Sequence, residues 1–193
     1  MSVKQPLILL LLTILVCLGQ EKNPAKVVLK VDEDVSGPLG GQRSASCLRV
    51  YSDGRVLHAR WWNAAMAELD KNGKEVKGEQ TLAVEHVLAS WEVWELSNFL
   101  ESSALKDLPD KFPPPHRPVD YFESVVLQFT GANGTKRRIS TREFHVASLE
   151  EKASYPSALL VLMNRIGEIE RDANENGKST QVPADCRLKS WPH

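Results

Sequence analysis

The sequence predicts an α+β domain: an antiparallel sheet of about five to six strands built from hairpins, with two amphipathic helices packed on one face. Three observations carry this. Strand-like alternation recurs around Asp53-Gly54, Asn72-Gly73 and Asn133-Gly134, dipeptides that tight hairpins favour because their central positions take positive φ. Val93, Leu96, Phe99 and Leu100 fall on one helical stripe, and Leu159, Leu162, Met163, Ile166 and Ile169 fall on another. Hairpins impose antiparallel neighbours, and helices with a single apolar stripe bury it against a sheet face.

Taken in order, Val27–Val31 alternates as a strand and the glycine-rich stretch Ser36–Gly41 breaks it. Ser46–Trp62 then reads as a hairpin. A two-residue Asp53-Gly54 loop pairs Val50 with Leu57, Leu48 with Ala59 and Ser46 with Trp61. That register makes Leu48, Val50, Leu57, Ala59 and Trp61 one apolar face and puts Arg49, Tyr51, His58 and Arg60 on a wetter one. Leu69–Val76 reads as a second hairpin, with Leu82 and Val84 on a further strand. Ser90 is the predicted N-cap of the first helix, with Glu92 and Glu95 in its positive first turn and an end near Ser102–Ser103.

Five prolines between Pro109 and Pro118 exclude helix and interior strand, so an extended surface loop is expected there. Glu123, Val125, Leu127 and Phe129 alternate as the next strand. The turn after it is predicted to have three residues, Ala132 to Gly134, because that length pairs Leu127 with Ile139 and keeps both inside. Tyr155-Pro156 opens the last helix, which runs to about Asp172. Residues 173–193 read as an irregular tail.

The domain is preceded by an address. Lys4 supplies a positive start, and Leu7 to Leu18 then runs apolar apart from Thr13. Such a run suits a signal-peptide core and falls short of the ~20 residues that cross a bilayer. Cys17 and Gly19 provide the small residues that place cleavage after Gly19, with an uncleaved anchor as the alternative. Residues 20–26 form a polar lead-in, and 27–172 form one domain. The localisation expected is secreted or periplasmic, with no membrane attachment after cleavage.

The chain has 24 basic and 25 acidic side chains, which gives no electrostatic footprint for nucleic acid. Lys136-Arg137-Arg138 is its basic cluster and reads as a solvated strand end. Cleavage removes Cys17 and leaves Cys47 and Cys186, which suggests a bridge pinning the tail to a strand near the start of the domain.

No nucleophile elbow, phosphate loop or metal spacing is present, so no catalytic residue, metal or cofactor is assigned. The five histidines are scattered. The residues best suited to recognition are Trp62, Trp91, Tyr51, His116 and Arg117. Tryptophans come in the pairs Trp61–Trp62 and Trp91–Trp94, and one of each pair is expected inside and its neighbour outside. These features favour a non-catalytic binding module for another protein or a glycan, a secreted inhibitor being one form. The alternative is a small hydrolase with a dispersed site at His116, Asp120 and Glu123. Asn133-Gly134-Thr135 matches the glycosylation sequon of a eukaryotic host.

The order of features is similar to that of certain exported bacterial domain families: Cys47–Gly54 entering a hairpin, the helix of Ser90–Leu100, the hairpin of Val125–Ile139 and the helix of Tyr155–Ile169. Those families bring no assigned activity, so the resemblance implies an address and a fold but no chemistry.

Overall fold

The computed structural model describes residues 25–37, 42–69, 73, 75–114, 122–131, 134–145 and 147–186. The signal-like segment, the lead-in up to residue 24, Asn133 of the sequon and residues 115–121 of the proline loop lie outside them. Seven strands form one antiparallel sheet: β1 (Val27–Ser36), β2 (Gln42–Tyr51), β3 (Arg55–Leu69), β4 (Glu75–Val87), β5 (Phe122–Thr130), β6 (Lys136–Arg142) and β7 (Lys178–Ser179). Their spatial order is β6-β5-β1-β2-β3-β4-β7. Among the described residues four helices accompany them: α1 (Ser90–Leu100), α2 (Ser103–Lys106), α3 (Leu149–Lys152) and α4 (Ser157–Asn176). The fold class is α+β as predicted, but the strand and helix numbers were underestimated. The additions, β7, α2 and α3, are each four residues or shorter and carry no periodicity to detect.

Both long helices feed one core. Val93, Leu96 and Leu100 of α1 and Leu159, Leu162, Met163, Ile166 and Ile169 of α4 are buried in the same apolar cluster as Leu29, Val31, Leu48, Val50, Leu127 and Ile139 of the sheet. The helix stripes were therefore read correctly from their spacing. Two helix boundaries differ. Ala89, not Ser90, occupies the N-cap of α1, where the Glu92 carboxylate accepts a hydrogen bond from the Ala89 amide at 2.9 Å. α4 continues to Asn176, one turn past the predicted end.

The first hairpin corrects the expected register. Its loop has three residues, 52–54: the Gly54 amide donates to the Tyr51 carbonyl, Asp53 Oδ1 accepts from the Arg55 amide, and Gly54 takes φ +90°. A Cβ at Gly54 would lie 2.8 Å from the Leu88 carbonyl oxygen, so glycine also lets the end of β4 approach. The added loop residue slips the pairing by one, to Val50–Val56, Leu48–His58, Cys47–Ala59 and Ala45–Trp61. One residue of slip exchanges the two faces of a strand. Leu48, Val50 and His58 thus lie on the helix side, while Cys47, Ala59, Trp61 and Ala83 form a second buried cluster on the opposite side.

The other hairpins follow expectation more closely. Leu127 pairs with Ile139, and Gly134 takes φ +73°, as the three-residue turn requires. β3 and β4 form one long hairpin closed around Gly73 at φ +74°, so Leu82 and Val84 belong to its returning strand and not to a separate one. The start of the proline loop is also less peripheral than expected. Phe112 is buried, and its amide donates to the Ser140 carbonyl of β6.

Part of the far side of the sheet is covered by residues 177–186, the described portion of the segment expected as an irregular tail. Gly177 turns the chain off α4 at a point where a Cβ would collide with the Ala173 carbonyl. β7 then pairs with Val84 and Glu85 of β4, and the Thr180 amide donates to the Ala83 carbonyl. From there the chain reaches β2, where Cys186 is bonded to Cys47 with a Cα–Cα distance of 5.8 Å. Among the described residues no helix is long and apolar enough to cross a membrane.

Candidate functional site

Two features of the described surface have the chemistry of a site. The first is the outward side of α1. Trp91 and Trp94 are 61% and 66% exposed, with Val87 exposed just before the helix. Positions three apart share a helix face, so the two indoles stand side by side. The sequence predicted one indoor and one outdoor residue for this pair, and that is wrong here. Val93 and Leu96 already fill the buried stripe, and both tryptophans fall opposite it. In the other pair Trp61 is buried, as one of the two was expected to be, while Trp62 is half-buried and not fully outside.

The second feature is a polar cleft of about 300 Å³ on the helix side of the sheet, lined by Glu33, Ser46, His58, Arg60, His145 and Glu170 among others. β1 contributes Glu33, β2 Ser46, β3 His58 and Arg60, and α4 Glu170 and Asn174. The register slip brings His58 here. In the expected register it would face the side opposite Leu48. His58 Nδ1 lies 3.0 Å from Asn174 Oδ1, and its Nε2 lies 4.0 Å from Glu170 Oε1. Burial lowers the pKa of His58 against the raising effect of that Asn174 contact. Burial likewise raises the Glu170 carboxyl to about 7, helped by the negative charge of Glu33. The two facing groups therefore both favour their neutral forms.

A pH prediction follows for Glu170. Its folded pKa lies above its ordinary value of 4.5, so the native state holds the extra proton and stability falls as pH rises from about 4.5 to about 7. Glu170→Gln should remove this loss, gaining on the wild type by up to about 3 kcal/mol by neutral pH. Urea midpoints at pH 4.5, 5.5 and 7.5 measure it. A constant difference between the two proteins across that range would count against it.

At the mouth of the cleft, Glu123 of β5 and His145, in the turn after β6, meet Glu33. His145 Nε2 lies 3.8 Å from Glu123 Oε1 and 4.0 Å from Glu33 Oε1, and one donor atom from each of the three residues fits within 4.8 Å. The Glu123 side chain is 2% exposed and accepts from the His145 amide at 3.1 Å through both oxygens. Ser46 Oγ donates to Glu33 Oε2. Glu143, which begins the turn, takes φ +57°, a left-handed conformation unusual for a non-glycine residue, and turns the chain so that His145 lies over Glu123.

The residues singled out from sequence are dispersed. Tyr51 is half-buried, with the Arg55 guanidinium 4.4 Å from its ring centre. Trp62 carries the Arg60 guanidinium at 5.2 Å and so borders the cleft without lining it. Trp91 stands on α1, away from both. His116, Arg117 and Asp120 lie outside the described residues. Of the expected hydrolytic trio, Glu123 alone is described, and among the described residues it lies beside Glu33 and His145. Sequence reasoning missed this trio because 90 residues separate Glu33 from Glu123 and no short motif links them. A signal did exist: Glu123 occupies an inward position of an otherwise apolar strand alternation. The chain matches no protein-family model and no curated protein.

Proposed function

We propose that the protein is an exported, non-catalytic binding domain that recognises another protein through the outward side of α1. The observation that carries this reading is the exposure of Trp91 and Trp94 together on one rigid helix. Tryptophan is the residue most enriched at binding hot spots, and a pair fixed on a helix loses little conformational freedom on association. Glu95 is exposed beside the indoles, whereas Glu92 is turned inward to Arg165 of α4 at 3.1 Å, and the last turn of α1 has no basic residue. The complementary partner is an apolar pocket edged by lysine or arginine. A glycan is served less well, because the convex side of a helix offers no groove for sugar hydroxyls. Export is supported by the signal-like first nineteen residues and by the disulfide, which suits an oxidising compartment.

The test is affinity capture from the native extracellular or periplasmic fraction, with the oxidised protein as bait and the Trp91→Ala/Trp94→Ala double variant beside it. Both indoles are exposed, so the variant should melt within a few degrees of the wild type. The expected result is a protein partner held by the wild type and weakened at least about tenfold by the double change. Equal capture by both baits would overturn the reading, as would retention of the wild type on a glycan surface in place of a protein.

A further inference from the structure

The geometry points to a second site, independent of the tryptophan face: Glu33, Glu123 and His145 bind a first-row divalent transition-metal ion, of which Zn²⁺ is the redox-inert representative. One imidazole and two carboxylates are a donor set of the right kind. Nitrogen–oxygen sites suit zinc and its neighbours, whereas calcium and magnesium take oxygen cages. Ligands about 2.1 Å from a tetrahedral ion stand roughly 3.4 Å apart. The separations of 3.8 and 4.0 Å from His145 Nε2 need a few tenths of an ångström of closure. His145 is 47% exposed on its side chain, and that freedom supplies the adjustment.

The donors are held as metal ligands are held. Ser46 Oγ engages Glu33 Oε2, which leaves Oε1 directed at His145 Nε2. The His145 amide fixes the Glu123 carboxylate, while the buried position of Glu123 in β5 sets its depth. Such outer contacts orient ligands and are part of a working metal site. The three residues come from β1, β5 and the turn after β6, so a metal would tie neighbouring parts of the sheet together.

The exposed side of His145 leaves a coordination position open toward the cleft, the arrangement of zinc sites with three protein ligands.

Isothermal titration of Zn²⁺ into the full oxidised chain, stripped with chelator, tests this. The expected result is one ion per chain at micromolar affinity or tighter, raised thermal stability with saturating zinc, and no comparable binding of Ca²⁺ or Mg²⁺. His145→Ala and Glu33→Gln, both at partly exposed positions, should each weaken binding at least about tenfold while the far-ultraviolet spectrum stays native. His86→Ala, which removes an imidazole paired with Asp172 at 2.9 Å elsewhere on the helix side, should leave the affinity unchanged. No stoichiometric binding would overturn the proposal. So would wild-type affinity in His145→Ala and Glu33→Gln, or a preference for Ca²⁺.

Discussion

Replacing Cys47 and Cys186 together by alanine should lower stability by about 5 kcal/mol, the chain-entropy value for a closed loop of this length. The bridge joins residues 139 apart, so the reduced unfolded chain gains a large conformational space. A second loss adds to the first. The tail that the bridge holds lies over Cys47, Ala59, Trp61 and Ala83, a cluster packed from small residues against one indole. Release of the tail wets this cluster, so the double variant should show a red-shifted Trp61 contribution before global unfolding. Urea midpoints with and without reductant measure the loss, and fluorescence locates it. A change below about 1 kcal/mol would show that the tail is not a structural member.

Arg49→Ala should have the next largest effect, about 3 kcal/mol, the lower end of the range for breaking a buried ion pair. The Arg49 side chain is 2% exposed and spends every donor: Nε on Asp185 Oδ2, one terminal nitrogen on the Val31 and Leu48 carbonyls, the other on Asp32 Oδ1 and the Asp185 carbonyl. Alanine removes the fork that binds β1, β2 and the tail. The two carboxylates it abandons are 44% and 46% exposed and find water, which keeps the loss from being larger. Asp185 also has a second partner in Lys30, which with Arg49 holds its carboxyl below the usual range. Arg49→Lys keeps the charge but not the planar geometry and should recover less than half of the loss. Full stability in Arg49→Lys would mean that charge alone matters. Chemical denaturation of both variants decides this.

These two predictions fall on opposite sides of what was legible in advance. The pairing of Cys47 with Cys186 could be reasoned from the even count that the expected signal cleavage would leave. The burial of Arg49 could not. In the expected register it lay on a wetter face beside Tyr51 and His58. The structure instead puts Arg49 and His58 on opposite sides of the sheet, and both are buried. The cause is one residue of loop length at Gly54. The Asp53-Gly54 dipeptide suits a two-residue turn and also the three-residue turn that is formed. The apolar pattern did not arbitrate, because Leu48 and Val50 lie inside either way. At Gly134 the pattern could arbitrate, since a slip would have turned Ile139 outward, and there the expected pairing is the observed one.

The sequence by itself determined the α+β class, the antiparallel pairing, the two core stripes and the two cysteines available to bridge. Each rests on local periodicity, turn chemistry or a simple count, which do not depend on distant residues. Only the tertiary structure decided which face each residue of β3 presents, that the tail straps the far side, that both α1 tryptophans point outward, and that Glu33, Glu123 and His145 converge. Those outcomes depend on how far-apart segments align across the sheet. A single-residue change in one turn moves every such alignment at once, and no local pattern records it.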